Sequence, residues 1–253
     1  MSFSNFHPRD FSPIRRLGLA ALLATLALGL PSTAHALGDT FFDALDAYDS
    51  VRWRKSDGWA NGSPFNCGWR ADHVNFSGGA MTLTLDNATC TAGCSGKPYA
   101  SGEYATRDVY GYGKFETRMK AVKGSGTVTG FFIYNGTPWD EIDVEILGKD
   151  TTRLQTNYFT NGVGGHETVI MLGFDASLAA HNYAIVWEPG SIKWYVDDVL
   201  VHTETGGRGP LPTTPGKIMV NLWPAVGVDS WTGPFSYTSP LTAQFSWIQY
   251  FKR

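Results

Sequence analysis

The sequence predicts an all-β fold in which two antiparallel sheets pack face to face as a sandwich. Three observations support it: short runs that alternate apolar and polar residues, turn-forming residues between those runs, and the lack of a long helical period. The 253 residues include 29 glycines and are 14% aromatic, which fits many tight turns and large packing side chains. Because 43% of the residues are hydrophobic, the chain can bury a full core, and disorder is excluded.

Residues 1–36 are typical of a secretory signal peptide. A polar segment ending at Arg16 precedes an apolar run of 14 residues, 17–30. The small residues Ala34 and Ala36 predict cleavage after Ala36. A membrane anchor is the alternative, but crossing a bilayer takes about 20 apolar residues. We therefore expect a secreted protein, extracellular or periplasmic, that has no membrane contact after cleavage.

Residues 37–253 are predicted to form one domain, because no linker, repeat or low-complexity stretch divides them. The clearest period-two segments are Met81–Leu85, Gly113–Met119 and Ile192–Val196. These segments predict half-buried antiparallel strands. Asp197 and Asp198 then predict the two-residue turn of a β-hairpin, whose second strand begins at Val199.

Charge and composition exclude several classes of partner. The formal net charge is -3, the isoelectric point is about 6.0, and the Lys and Arg residues are scattered. Such a chain lacks the basic surface that nucleic acid requires. No nucleotide or redox cofactor motif is present, and no feature requires a partner protein, so we expect a monomer.

Three cysteines, Cys67, Cys90 and Cys94, lie in the predicted domain. An oxidising compartment permits one disulfide with one thiol left over, and the sequence allows any of three pairings. A zinc site is not predicted, because no histidine is spaced as a ligand partner for these cysteines.

The most informative segment is an acidic strand at residues 139–148. Successive side chains of a strand point to opposite faces, so Glu141, Asp143 and Glu145 share one face and the apolar residues between them face the core. No Lys or Arg separates the carboxylates, and their repulsion costs stability unless a site uses it. A solvated outer face is the ordinary alternative. One metal ion does not fit, because positions i and i+4 lie about 13 Å apart along a strand.

Aromatic residues favour a carbohydrate cleft, because their flat apolar faces stack on sugar rings. Four lie in other strand-like or loop segments: Phe132, Tyr134, Trp223 and Trp231. Trp139 shares the face of Glu141. Retaining glycoside hydrolysis uses two carboxyl groups about 5–5.5 Å apart, which Glu141 and Glu145 reach by leaning together over Asp143. The charge between them helps keep Glu145 protonated as the acid.

The segment Glu141-Ile142-Asp143-Val144-Glu145 resembles the active-site signature of glycoside hydrolase family 16. Residues 136–167, 110–113 and 216–223 are similar to its bacterial licheninase branch, the endo-1,3-1,4-β-glucanases, and the resemblance covers nearly all of residues 41–250. Laminarinase-like members insert a residue before the second glutamate, whereas here Val144 directly precedes Glu145. The resemblance implies a jelly-roll β-sandwich of two antiparallel sheets with a concave substrate cleft.

By resemblance, Glu141 is the nucleophile, Glu145 is the general acid/base, and Asp143 tunes both. The resemblance also implies eight substrate-binding residues: Asn61, Glu103, Phe132, Tyr134, Trp139, Asn157, Asn221 and Trp223. The implied activity is retaining endo-hydrolysis of β-1,4 linkages in mixed-linkage β-1,3-1,4-glucan, such as lichenan or barley β-glucan. The expected partner is therefore a polysaccharide.

Three other functions stay open: an endo-glycanase of a bacterial exopolysaccharide, a xyloglucan-type transglycosylase, and a non-catalytic lectin on the same fold. A lectin predicts loss of the acids, and all three acids are present. The acids do not separate hydrolysis from transglycosylation, because both reactions use the same covalent intermediate.

Several positions depart from the licheninase pattern. Ala105 stands where that branch has a substrate-contacting arginine, and Phe159 replaces a tyrosine, so Arg107 is a candidate for supplying the missing hydrogen bonds. The loop at residues 135–138 is about four residues shorter than in the typical licheninase, which opens one end of the cleft.

Two further departures concern structural bonds. Ser101 replaces a cysteine whose usual partner corresponds to Cys67, so the resemblance implies that any bridge uses Cys90 or Cys94. Ser246 replaces an aspartate that helps hold a structural calcium ion, which leaves backbone carbonyls as calcium ligands. No metal-ligating side chain is assigned, and the predicted chemistry requires no cofactor.

Overall fold

The computed structural model of the protein describes residues 37–90 and 93–253, and the predicted signal peptide at residues 1–36 lies outside them. The strands are β1 (Phe41–Asp43), β2 (Trp53–Lys55), β3 (Cys67–Trp69), β4 (Val74–Ser77), β5 (Ala80–Asp86), β6 (Tyr99–Ser101), β7 (Glu103–Thr106), β8 (Gly113–Lys120), β9 (Thr127–Gly136), β10 (Trp139–Leu147), β11 (Arg153–Phe159), β12 (Thr168–Met171), β13 (His181–Glu188), β14 (Ser191–Val196), β15 (Val199–Glu204), β16 (Lys217–Pro224) and β17 (Leu241–Lys252). A 3-10 turn (Ala71–His73) and a short helix, α1 (Asp229–Thr232), complete the assigned elements. No helix in the described ranges is long and apolar enough to cross a membrane.

The strands form two sheets that share one core. The ten-stranded sheet has the order β15-β14-β13-β8-β17-β5-β6-β3, with β1 beside β17 and β4 beside β5. The seven-stranded sheet has the order β12-β11-β10-β9-β16-β7-β2. Among the named strands that the structure describes, neighbours run antiparallel except β3 and β6, which are parallel. The predicted all-β jelly-roll sandwich is confirmed, and the parallel pair is a detail that alternation along single strands does not reveal.

The strands predicted from period-two segments are confirmed as β5, β8 and β14. In β14 the side chains alternate between buried and half-buried, as expected for a strand with one face on the core. The hairpin after it is also confirmed, since Val196 pairs with Val199. Asp197 and Asp198 have φ values of 45° and 64°, the left-handed conformation that suits a two-residue hairpin turn.

The core fixes the direction in which β10 presents its acids. Ile142, Val144 and Ile146 are at most 1% exposed and pack between the sheets. Burial of each such side chain stabilises the folded state by about 1.5–3 kcal/mol relative to an exposed one. Trp194 on β14 in the opposite sheet donates its Nε1–H to the carbonyl oxygen of Asp143, at 3.0 Å. The apolar face of β10 is thereby held in the core, and the acidic face points out of the sandwich.

The cysteines adopt one of the three pairings left open. Cys90 and Cys94 form a disulfide, and Cys67 is a buried free thiol on β3. Cys67 belongs to a second, smaller apolar cluster with Trp69 and Trp223. Burial raises the pKa of the Cys67 thiol well above its usual range.

Candidate active site

A cavity of about 510 Å³ lies on the face of the seven-stranded sheet that points away from the core. Ten of the eleven residues predicted for the site line it: Asn61, Glu103, Phe132, Tyr134, Trp139, Glu141, Asp143, Glu145, Asn221 and Trp223. The sheet therefore brings together side chains that come from positions 61 to 223 of the chain.

Asn157 is the predicted site residue that is absent from the cavity lining. It pairs with Asp143 across β10 and β11 and is buried. Its Oδ1 accepts hydrogen bonds from the backbone N–H groups of Tyr158 and His166, at 2.9 and 3.2 Å. The structure thus places Asn157 beside Asp143 on the neighbouring strand, where its amide oxygen joins β11 to the following loop.

Strand register arranges the cavity wall in three rows that cross the sheet. The rows are Glu141–Tyr134–Lys217, Asp143–Phe132–Met219–Ala105–Arg54 and Glu145–Gly130–Asn221–Glu103. The acids occupy one end of each row, on β10. Aromatic and amide side chains follow on β9 and β16, so a glycan lying across the strands would meet the acids at one end and other polar groups further along.

Glu141 is surrounded by hydrogen-bond donors. The indole Nε1–H of Trp139 donates to Oε2 of Glu141 at 2.6 Å, and the carboxyl of Asp143 donates a second hydrogen bond. Burial raises the pKa of Glu141 to about 7, and both hydrogen bonds act in the opposite direction because they stabilise the ionised form.

Glu145 has a different environment. Burial raises its pKa to about 8, and the nearby charge of Glu141 adds to the rise. Its Oε2 accepts a hydrogen bond from Nε2 of Gln155 at 3.0 Å. The other end of that amide is fixed in turn, since Trp231 donates its Nε1–H to Oε1 of Gln155 at 3.0 Å.

Gln155 is a site residue that the sequence did not reveal. It lies on β11 directly opposite Glu145. In the sequence, Gln155 looks like any polar residue of a strand. Its role becomes evident only when the register of β10 and β11 is known.

Asp143 is 6% exposed and lies between the two glutamates. Burial, followed by the charges of Glu141 and Glu145, raises its pKa well above the usual range. A protonated Asp143 can donate to Glu141, which an ionised one cannot. The three carboxyls are therefore coupled, and they share fewer charges at neutral pH than three isolated acids would carry.

Gly130 keeps the third row open between Glu145 and Asn221. A Cβ atom at this position would lie 2.7 Å from Oδ1 of Asn221, inside van der Waals contact. A glycine here leaves room above the sheet beside Glu145. The alternation of apolar and polar residues in the sequence does not indicate this position.

Trp139 forms an exposed aromatic platform at the start of the acidic strand, and a second stacked pair includes the buried Trp223 of β16. Trp139, which is 42% exposed, stacks on Phe159 with ring centroids 4.8 Å apart and an interplanar angle of 15°. Trp223 stacks on Phe65 at 4.1 Å. Phe159, the replacement for a tyrosine, therefore supports the Trp139 platform from behind.

The substitution at Ala105 is not compensated by Arg107. Arg107 is exposed, is absent from the cavity lining, and donates its Nε–H to the carbonyl oxygen of Ser50 at 2.8 Å. Arg54, which pairs with Ala105 from β2, lines the cavity instead.

The residue implied for a structural calcium ion does not fit a carboxylate-held site. Ser246 lies at a register shift of β17 between Phe245 and Trp247 and offers a neutral hydroxyl where a hard cation prefers a charged oxygen. Among the described residues, no group of three or more His, Cys, Asp or Glu side chains is placed to hold a metal ion.

Known proteins share both the sequence and the fold. The family model described as "Glycosyl hydrolases family 16" matches residues 61–249. A beta-glucanase of Paenibacillus polymyxa is 50% identical over 218 residues, which cover 84% of this chain and 88% of that protein. Bacillus licheniformis beta-glucanase superposes with a TM-score of 0.79 at 46% identity, covering 85% of this chain and 99% of that one. A prokaryotic beta-1,3-1,4-glucanase (lichenase) derived from a mouse hindgut metagenome gives a TM-score of 0.81 at 44% identity, covering 85% and 100%.

Proposed function

Because this chain belongs to glycosyl hydrolases family 16, we propose that it is a β-glucanase that hydrolyses β-1,4 linkages in mixed-linkage β-1,3-1,4-glucan with retention. The observation that carries the proposal is the coupled row of Glu141, Asp143 and Glu145 in a cavity walled by aromatic rings. Two carboxyl groups on one strand face supply the acid and the nucleophile that retaining hydrolysis needs.

In the first step, Glu145 protonates the glycosidic oxygen while the Glu141 carboxylate attacks the anomeric carbon. The bond between that carbon and the leaving oxygen breaks, and a covalent glycosyl ester forms on Glu141. In the second step, the Glu145 carboxylate takes a proton from water, whose oxygen attacks the same carbon and releases Glu141. Two displacements restore the original anomeric configuration.

The electrostatics of the row suit both steps. Donors from Trp139 and Asp143 favour the ionised form of Glu141, and the charge of Glu141 favours the protonated form of Glu145. When Glu141 becomes an ester its charge disappears, so the pKa of Glu145 falls. Glu145 is then deprotonated and serves as the base of the second step.

The test is to incubate the purified protein with barley mixed-linkage glucan, laminarin, xyloglucan, a cellulose derivative and a succinylated exopolysaccharide. Reducing ends and product sizes are followed. Rapid release of small oligosaccharides from the mixed-linkage glucan is expected. Cleavage of another polymer alone would assign that polymer as the substrate, and transfer of sugar to an added glycan would identify a transglycosylase.

A substitution separates an enzyme from a lectin. Glu141→Gln removes the nucleophile and is expected to lower kcat at least 10³-fold, whereas the polymer still binds. Glu188→Gln, at the end of β13 in the other sheet, changes a half-buried carboxylate that is paired with Arg253; it is the matched control and should retain full activity. Equal activity of the two variants would contradict the role of Glu141.

We also propose that residues 1–36 direct export and are then removed. Support comes from the polar segment, the apolar run and the small residues Ala34 and Ala36 in the sequence. N-terminal sequencing of the protein recovered outside the cytoplasm should begin at Leu37. An N-terminus at Met1 in that fraction would contradict removal of the segment.

A further inference from the structure

Arg54 lies at the end of the middle row that is remote from the acids. It pairs with Ala105, and the row continues through Met219 and Phe132 to Asp143. Four strand spacings of about 4.8 Å place Arg54 about 19 Å from Asp143 along the sheet. Ala105 is small, so the side chain of Arg54 has room to line the cavity.

The guanidinium has unused donors. Its Nε atom is buried and has no hydrogen-bond partner among the residues that the structure describes. A buried N–H without an acceptor is unfavourable, because it has lost its bond to water and gained none from the protein. Because Nε is buried, a ligand in the cavity would meet the terminal Nη groups of the Arg54 side chain that lines it.

Neighbouring charged side chains do not supply an acceptor for the Nε–H of Arg54. The charge of Arg54 acts on the buried carboxyl of Glu103, which already accepts from Oγ of Ser56 at 2.7 Å and from Nδ2 of Asn221 at 3.4 Å. Lys217, which also lines the cavity, is close enough for the positive charge of Arg54 to act on it. Two cations, Arg54 and Lys217, therefore line the cavity near the buried carboxyl of Glu103, whereas Glu141, Asp143 and Glu145 lie at the β10 end.

We propose that Arg54 is a specificity-determining residue that donates hydrogen bonds from its guanidinium to sugar hydroxyls at the end of the cleft remote from β10. The fork of N–H groups matches adjacent hydroxyl oxygens of a pyranose. Arg54 thereby serves a position that the short side chain of Ala105 leaves empty. This inference rests on the proposed glucan substrate, and it predicts an effect confined to glycans long enough to reach β2.

The test compares Arg54→Met with Arg107→Met. The first variant keeps the apolar stem but removes every donor, and the second removes an exposed cation two residues beyond Ala105. On the polymer, Arg54→Met is expected to raise KM about tenfold or more with little change in kcat. On the shortest oligosaccharide that is cleaved, both variants should match the unmodified protein, and Arg107→Met should match it on every substrate.

A rescue variant checks the position of the guanidinium. Ala105 and Arg54 face each other across β7 and β2, so Ala105→Arg in the Arg54→Met background should lower the polymer KM again. An unchanged polymer KM in Arg54→Met, or an equal loss on short and long substrates, would overturn the proposal. If circular dichroism shows that Arg54→Met is unfolded, Arg54→Lys replaces it, with an intermediate polymer KM expected and an unchanged one counting against Arg54.

Failure of the proposed function gives a different result. If the unmodified protein cleaves no mixed-linkage glucan, that substrate assignment fails. Arg54 is then tested by binding of long and short oligosaccharides of the polymer that the protein does cleave, followed by tryptophan fluorescence, since Trp59, Trp139 and Trp223 lie in the cavity wall. Weaker binding of the long oligosaccharide alone in Arg54→Met supports the inference, and equal binding in both proteins overturns it.

Discussion

Glu141 and Glu145 occupy the same strand face, yet they have different proton affinities because different groups surround them. Trp139 and Asp143 both donate to Glu141. Glu145 receives one donor, from Gln155, and it feels the charge of Glu141. The division of roles between two glutamates four residues apart therefore depends on side chains from β10 and β11 together.

Two substitutions should move opposite limbs of the pH profile. Trp139→Phe removes a donor from Glu141, which raises the pKa of that carboxyl and shifts the acidic limb of kcat/KM to higher pH. Gln155→Leu removes the donor to Glu145, which raises its pKa and shifts the alkaline limb to higher pH. Each shift should be about one pH unit, since one pKa unit corresponds to about 1.4 kcal/mol, the size of one charge-assisted hydrogen bond.

The two variants control for each other when kcat/KM is measured across the pH range on the mixed-linkage glucan. Loss of activity without a moved limb would show that Trp139 and Gln155 act in packing or substrate contact alone. Movement of either limb to lower pH would contradict the donor geometry at 2.6 and 3.0 Å.

Strand β10 shows how much of the site could be predicted from the sequence of one strand. Its alternation predicts which face is acidic and which is buried, and the structure confirms both. The partners on β9 and β11 could not be predicted, because register depends on contacts between distant parts of the chain. Gly130 and Gln155, which lie directly opposite Glu145 on those two strands, were missed for this reason.

The hairpin between β14 and β15 provides a test of local backbone conformation. Asp198 has a φ of 64°, which glycine adopts at less cost, and its contact with Lys114 is a loose 3.8 Å pair at the surface. Asp198→Gly should therefore raise the free energy of unfolding by about 0.5–1 kcal/mol. Urea denaturation measures the change.

Asp197 is the matched control in the same turn. Its carboxylate accepts from the backbone N–H of Asn182 at 2.9 Å and contacts Nδ1 of His181 at 2.7 Å. Asp197→Gly should lower the free energy of unfolding by about 1 kcal/mol, because the lost side-chain contacts outweigh the same gain in backbone freedom. Equal effects of the two substitutions would show that side-chain contacts do not matter in this turn.

For the whole molecule, the acidic row makes stability depend on pH. Burial raises the pKa of Asp143 in the folded protein, whereas the same group in the unfolded chain ionises near its ordinary pKa of 3.8. The folded state therefore holds more protons, and the stability that this group contributes at low pH is lost as pH rises. Asp143→Asn should raise Tm at pH 8 by about 2–4 °C, corresponding to ~1 kcal/mol, and leave Tm unchanged near pH 4.

Asp140, on the opposite face of the same strand, should behave in the opposite way. Burial tends to raise its pKa, but backbone N–H groups of Asn161, Thr213 and Thr214 donate to it and lower the pKa overall. Its contribution is present at high pH and lost on acidification, so Asp140→Asn should lower Tm at pH 8. Thermal melts of both variants at the two pH values test the pair, and a lower Tm for Asp143→Asn at pH 8 would contradict the raised pKa.

The fold class and most of the cavity residues could be predicted, because periodicity and residue type are local properties of the chain. Strand order and the parallel pair of β3 with β6 could not, since each depends on distant segments meeting. The pairing of Cys90 with Cys94, four residues apart, could not either, because residue spacing does not show which two of the three cysteines the fold brings together. The contact of Asp140 with residues 213–214 is of the same kind, because more than 70 residues separate them.

The rate at which Cys67 is alkylated measures how often the folded protein opens locally. With Cys90 and Cys94 joined, it is the thiol left for an alkylating reagent, and complete burial with a raised pKa prevents reaction in the closed state. The alkylation rate then equals the reagent rate multiplied by the fraction of molecules in which β3 is open. Since Cys67 packs in one cluster with Trp223 of the cavity wall, a glycan bound there should slow alkylation, and mass spectrometry can follow binding even in a variant that has lost catalysis.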